Sequence, residues 1–193
     1  MDSIFLSKIL FFSSIIIWLI PPIRQRKGKY FVFFLILALS DLINLSITLI
    51  FNKNLSGFIF SISTFLLIIS LFERTTIIKS RLPIVLILIA ILVANVLITE
   101  PNFYYTIIII NYFIMAFIIL KKFIVTYVDT RIMNIFLVVL LFYLSTTLLK
   151  LFNIIIGFAD ATAFFIITTI VQIAFGLFFS IFRENNKRLM VQL

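Results

Sequence analysis

Two ionisable residues, Asp41 and Lys150, lie inside long apolar segments of the chain. Asn44 follows Asp41 at i+3, and Tyr143 and Thr147 precede Lys150 at i−7 and i−3. Each charge would therefore share one helical face with further polar groups. A charge within a membrane-spanning segment is costly and marks a functional site by default. These two residues are the first candidates for chemistry.

Three amides in other apolar segments would lie in the middle or outer half of the same bundle. We therefore predict a polar cluster in the outer half, with Asp41 and Lys150 coupled directly or through water. Its members are Asp41, Asn44, Asn95, Asn111, Tyr143, Thr147, Lys150 and Gln172. The cluster is either a ligand or ion pocket open to the outside or a charge switch. In the alternative interpretation, Asp41 is a hydrogen-bonded tie between helices and Lys150 extends to the outer interface.

The residue inventory argues against most enzyme chemistry. The chain has no Cys and no His, which removes thiol nucleophiles and the usual zinc, haem and proton-transfer side chain. Only four Gly are present, and no glycine-rich phosphate-binding motif occurs. The sequence also lacks paired carboxylates on one helix and metal-ligand spacing. We expect no catalytic residues, no metal and no cofactor, and so a protein that is not an enzyme.

The composition predicts an integral membrane protein. Of the 193 residues, 64% are hydrophobic and only 12% are charged, whereas soluble domains carry about 25% charged residues. Reading the chain between its charges gives seven apolar segments, and about 20 such residues are enough to cross a bilayer. We predict an all-α, polytopic seven-helix bundle that forms a single transmembrane domain over 1–193, with no soluble domain. The predicted spans are 5–22, 30–51, 55–72, 82–99, 103–120, 132–156 and 161–182.

The connectors carry most of the basic residues, and they do so on alternate sides. Thirteen of the sixteen Lys and Arg fall on one side, which the positive-inside rule makes cytoplasmic. Seven spans then place the amino terminus outside and the carboxyl terminus in the cytoplasm. The residues on the basic side are Arg24, Arg26, Lys27, Lys29, Arg74, Lys79, Arg81, Lys121, Lys122, Arg131, Arg183, Lys187 and Arg188.

The same connectors indicate the partners. Their charge is expected to contact anionic lipid headgroups, and a membrane or cytoplasmic protein partner is the second candidate. No nucleic-acid partner is expected, because the basic residues do not form one soluble patch. The abundance of Ile, Phe, Asn and Lys suggests an AT-rich bacterial genome, and hence the bacterial cytoplasmic membrane (the cell inner membrane).

Two expectations concern packing. The first helix offers few polar groups, so we expect it to pack peripherally, with Trp18 near the interface where aromatic residues are common. The 25 Phe are spread over the spans and are interpreted as lipid-facing side chains.

Three functions remain open. The first is a receptor-like sensory or interaction module that signals through a separate cytoplasmic partner. The second is a small-solute transporter or channel, although helices interrupted within the membrane, the best sequence indication of a transport site, are not evident. The third is a structural membrane subunit of a larger complex. No connector exceeds about a dozen residues, far below the roughly 50 that a soluble catalytic domain needs.

Overall fold

The computed structural model describes residues 3–51, 56–97 and 100–192, and this part of the chain is almost entirely helical. Two strands, β1 (Ile132–Asn134) and β2 (Met190–Gln192), and a 3-10 turn at Lys187–Leu189 complete it. The α-helices are α1 (Ser3–Trp18), α2 (Ile20–Arg24), α3 (Phe31–Phe51), α4 (Ser56–Ser70), α5 (Arg74–Lys79), α6 (Arg81–Leu97), α7 (Pro101–Thr130), α8 (Ile135–Ile156) and α9 (Ala161–Ile181).

Five helical stretches in the described residues are long and apolar enough to cross a membrane. They are Phe5–Arg24, Phe31–Ile50, Asn102–Thr130, Ile135–Ile156 and Ala161–Ile181. Two further apolar helices, Gly57–Ser70 and Arg81–Ala94, are shorter. The protein is therefore a multi-pass membrane protein. Each predicted span overlaps one of these apolar helical stretches, although not every boundary agrees, and the predicted boundaries at 55 and 98–99 lie outside the described residues.

The connector predicted between Lys121 and Arg131 is wrong, because α7 continues through it as far as Thr130. This stretch contains neither Gly nor Pro, and lysine is a good helix former, so charge alone does not end the helix. Arg131, directly after the last helical residue, has a left-handed φ of 55°. The chain then enters β1, which pairs antiparallel with β2 in the carboxyl-terminal tail. These two strands were also not predicted by the all-α assignment.

The first helix does not pack peripherally. α1 lies along α9 in one of the most extensive helix contacts of the bundle. Trp18 is only 4% exposed and contacts the rings of Tyr143 and Phe179, with centroid distances of 4.8 and 6.2 Å. The lipid-facing interpretation is likewise wrong for some of the Phe residues. The largest fully buried side chains include Phe33, Phe34, Phe136 and Phe179.

Gly176 makes the close approach between α1 and α9 possible. A Cβ atom at this position would lie 2.8 Å from Cγ2 of Ile17 and 3.3 Å from Nε1 of Trp18. We expect Gly176→Ala to destabilise the fold by about 1–3 kcal/mol, because overpacking shifts neighbouring side chains. Unfolding in mixed micelles with a denaturing detergent measures this loss.

A matched second change tests the same contact. Ile17→Leu removes the branched methyl group at Cβ but keeps the side-chain volume, so it should restore part of the stability lost in Gly176→Ala. Strictly additive losses in the double variant would show that the two side chains do not meet.

Candidate functional site

A cavity of about 310 Å³ lies between the helices. Its walls come from six of them, namely α1, α3, α4, α7, α8 and α9. Its lining includes six of the eight residues predicted to form the polar cluster: Asp41, Asn44, Tyr143, Thr147, Lys150 and Gln172. The bundle therefore brings polar groups of α3 together with those of the consecutive helices α8 and α9, much later in the chain.

The other two predicted residues are placed differently. Asn111 in α7 is buried, and its Nδ2 donates a hydrogen bond of 2.9 Å to Oγ1 of Thr64 in α4. Thr64 is itself part of the cavity wall, so Asn111 lies behind the wall and ties two helices together. The side chain of Asn95 lies outside the described residues.

Side-chain caps mark the start of α8 and α9, the helices that carry Lys150 and Gln172. The Asn134 side chain accepts a hydrogen bond from the Phe136 amide at the start of α8 (3.0 Å). The Asp160 carboxylate accepts one from the Ala163 amide at the start of α9 (2.8 Å). Such caps satisfy amides that have no partner within the helix.

The ammonium group of Lys150 is directed toward α9. Its Nζ lies 3.4 Å from Oε1 of Gln172 and 4.4 Å from the centroid of the Phe165 ring. The Gln172 amide donates in turn to Oγ1 of Thr147, also at 3.4 Å. These hydrogen bonds are long, and an ammonium group has three donors. Lys150 thus keeps donor capacity for a further acceptor.

Asp41 and Lys150 line the same cavity from α3 and α8. Within the part of the chain that the structure describes, no direct ion pair joins them. Two other polar atoms of the wall have no hydrogen-bond partner among the described residues, Oδ1 of Asn44 and Oγ1 of Thr169. The site therefore holds opposite charges together with hydrogen-bonding groups that no other described residue satisfies.

Sequence reasoning missed several residues of the wall. Thr169 precedes Gln172 by three residues, so helical spacing could have included it. The aromatic members gave no such signal, because apolar residues occupy every face of these helices. They are Phe11, Trp18, Phe60, Tyr105, Tyr112 and Phe165.

A buried aromatic cluster packs around the cavity residue Trp18, and we call Trp18, Phe34, Phe136 and Phe179 the aromatic floor. Ring centroids are 4.9 Å apart for Phe34 and Phe179 and 5.2 Å apart for Phe136 and Phe179. All four side chains are buried, and Trp18 also lines the cavity. The floor lies toward the basic end of the bundle, where α1, α4, α7 and α9 end.

Beyond the floor, polar contacts join the α2 segment to the end of α9. Gln25 is 1% exposed, and its Nε2 donates to the carbonyl oxygens of Phe179 (3.1 Å) and Phe182 (2.7 Å). The Glu184 carboxylate accepts a hydrogen bond of 2.8 Å from the Lys29 amide. We call Arg24, Gln25, Arg183 and Glu184 the terminal clamp.

A lysine ties α7 to the end of α4 at the same end of the bundle. Nζ of Lys122 donates a hydrogen bond of 2.6 Å to the carbonyl oxygen of Leu71, just after α4, and lies 5.7 Å from the centroid of the Tyr30 ring. A cation at the carboxyl end of a helix is favourable, because the free carbonyl groups there carry partial negative charge.

These features define the class of the protein: a helical multi-pass membrane protein with a cavity between its helices, whose wall is mainly apolar but carries two opposite charges and several polar side chains. No known protein family, curated protein or solved structure matches the chain.

Proposed function

We propose that the protein is a receptor-like module that binds a small ligand in this cavity and signals through a separate cytoplasmic partner. The observation that carries the proposal is the aromatic floor. Its member Trp18 lines the cavity and contacts the ring of Phe179, whose carbonyl oxygen accepts a hydrogen bond from Gln25 near the basic end of α9. A ligand that displaces Trp18 would therefore move Phe179 and, through it, the end of α9 that Gln25 holds. The cavity would then be the binding site, the aromatic floor the coupling element, and the basic end of the bundle the surface that contacts the partner.

We further propose that all seven apolar segments cross the membrane. At 1.5 Å per residue, α4 and α6 are about 23 and 26 Å long, somewhat short of the roughly 30 Å hydrocarbon core. Local bilayer thinning accommodates such short spans at modest cost. The positive-inside rule then makes the basic end cytoplasmic and the amino terminus external. The setting we propose is the bacterial cytoplasmic membrane, with anionic headgroups against the basic residues.

Accessibility of the cavity is the first test. The chain has no Cys, so Thr147→Cys introduces the only thiol, and it lies in the cavity wall. We expect a membrane-impermeant thiol reagent added outside to modify it at least about tenfold faster than a lipid-facing thiol, because the reactive thiolate forms in water. Leu149→Cys is the matched control, since Leu149 lies on the same helix and is 53% exposed on the outer surface of the bundle.

The two variants also test the orientation. Equal protection of both thiols would contradict a cavity open to water. Modification of Thr147→Cys only from the cytoplasmic side would reverse the proposed topology.

A transporter is the second candidate, and one feature favours it. The first apolar stretch is interrupted at Leu19, between α1 and α2, directly after the cavity residue Trp18. Pro21 and Pro22 at the start of α2 explain this break, because proline cannot donate the backbone hydrogen bonds that would continue α1. Interrupted helices often border transport sites.

Purification of the chain in mild detergent, followed by identification of co-purifying proteins and a flux assay in liposomes, distinguishes the three candidate functions. A stoichiometric signalling enzyme that co-purifies with the chain supports the receptor. Solute flux by the isolated protein in liposomes supports the transporter and contradicts the receptor. A fixed set of membrane partners instead supports the third function, a structural subunit.

A further inference from the structure

The cavity presents two separate sets of polar groups, one around each charge. On α3, Asn44 lies at i+3 from Asp41, and its Oδ1 has no partner among the described residues. On α8 and α9, Lys150 lies against Phe165 and Gln172. Thr169 falls between these two along the same face of α9, and its Oγ1 is also without a partner in the described part of the chain.

The two sets differ in what they can bind. The Asp41 carboxylate and the side-chain Oδ1 of Asn44 both accept hydrogen bonds, so together they suit a donor such as an ammonium group. The Lys150 ammonium group and the Thr169 hydroxyl both donate, so they suit a carboxylate or another anion. Hydrogen bonds between charged groups are the strongest of this kind.

The charges also exclude simpler ligands. An anion without a positive group would face Asp41 in the same cavity, and a cation without a negative group would face Lys150. A metal ion would need several ligands of its own, and among the described residues no three His, Cys, Asp or Glu cluster to supply them. A ligand that carries both charges leaves neither side chain unpaired.

We propose that the cavity binds a small zwitterion of about the size of an amino acid, with its ammonium group at Asp41 and Asn44 and its anionic group at Lys150 and Thr169. The proposal rests on the ligand-binding function proposed above and names the ligand class. The apolar body of the ligand would contact the aromatic walls. The volume of about 310 Å³ is at the lower limit of small-molecule pockets, roughly 300 Å³.

The experiment uses the full chain in lipid nanodiscs and a panel of zwitterions with different charge separations: L-leucine, L-phenylalanine, 4-aminobutyrate and 6-aminohexanoate. Trp18 is the only tryptophan and lines the cavity, so its fluorescence reports occupancy directly, and calorimetry gives the affinity. We expect at least one zwitterion to bind saturably. For leucine as the zwitterion that binds, the analogues 3-methylbutylamine and 4-methylpentanoate, each lacking one charge, should bind at least about tenfold more weakly.

Two charge variants make the result independent of any general loss of folding. Asp41→Asn should weaken binding of the zwitterion at least about tenfold, and the variant should bind the carboxylate-only analogue more tightly than the amine-only analogue. Lys150→Met should also weaken binding of the zwitterion, but it should bind the amine-only analogue more tightly than the carboxylate-only analogue. This inversion of preference is not produced by a merely destabilised protein.

Three results would overturn the proposal: equal binding of the analogues with one charge, unchanged preferences in the two variants, or saturable binding by no zwitterion. If Thr147→Cys is nevertheless accessible from outside, only the ligand class is wrong. If Thr147→Cys is protected as well, the binding function itself fails.

Discussion

Replacing Phe179 by alanine is expected to cost about 3 kcal/mol of stability, at the lower end of the range measured for buried Phe→Ala changes. Phe179 is fully buried and contacts the rings of Trp18, Phe34 and Phe136. In a membrane, the unfolded reference helices are already in an apolar solvent, so the transfer component of the loss is small. The loss arises from the contacts removed and the space left unfilled.

Phe142 provides the matched control for this prediction. It lies on α8 and is 61% exposed on the surface of the bundle. Its ring therefore contacts lipid both before and after the helices associate, and Phe142→Ala should change stability by no more than about 0.5 kcal/mol. Unfolding of both variants in mixed micelles gives the comparison. Equal losses at the two positions would mean that the aromatic floor is not a packed core.

The positions of the apolar helices were predictable from the sequence, but the way their faces pack was not. Charges are excluded from the hydrocarbon, so the spacing of Lys and Arg shows where apolar segments begin and end. In lipid, however, both the buried and the exposed faces of a helix are apolar. For this reason Phe179 and Phe142 look alike in the sequence, although one is fully buried and the other is 61% exposed.

The polar groups were more informative than the apolar ones. Asp41, Thr147 and Gln172 lie on three helices, and all three line the cavity. The sequence singled them out as candidates because polar residues are rare in these segments and recur with helical spacing. Lys121 and Lys122 were misread as a connector, because a charge marks the edge of the apolar zone and not the end of a helix. α7 continues past both residues to Thr130.

Contacts between distant parts of the chain could not be predicted from the sequence, because they involve backbone groups that every residue type has. The Gln25 side chain bonds to backbone carbonyl groups more than 150 residues away, and any residue type supplies such carbonyls. The pairing of β1 with β2 also depends mainly on backbone groups. The terminal clamp is consequently visible only in three dimensions. It is nevertheless the part of the molecule that would carry a signal from the aromatic floor to the basic end.

Removing the Gln25 side-chain amide should release the end of α9. In Gln25→Leu, the carbonyl groups of Phe179 and Phe182 lose the donor that now lies 3.1 and 2.7 Å away. A buried polar group left without a partner costs about 1–3 kcal/mol. We expect tryptic cleavage after Arg183, Lys187 and Arg188 to become about tenfold faster or more, since each 1.4 kcal/mol changes an equilibrium tenfold.

Gln192→Leu makes the same chemical change at an exposed side chain near the end of β2. It should leave the cleavage rate close to that of the unmodified chain, because only the backbone of β2 takes part in the strand pairing. If Gln25→Leu is cleaved no faster than Gln192→Leu and the unmodified chain, the two-stranded sheet holds the tail without help from Gln25. If Gln25→Leu also leaves the response of Trp18 fluorescence to a bound zwitterion unchanged, the clamp and the cavity are independent. Faster cleavage together with an altered Trp18 response is the result expected of a coupled receptor.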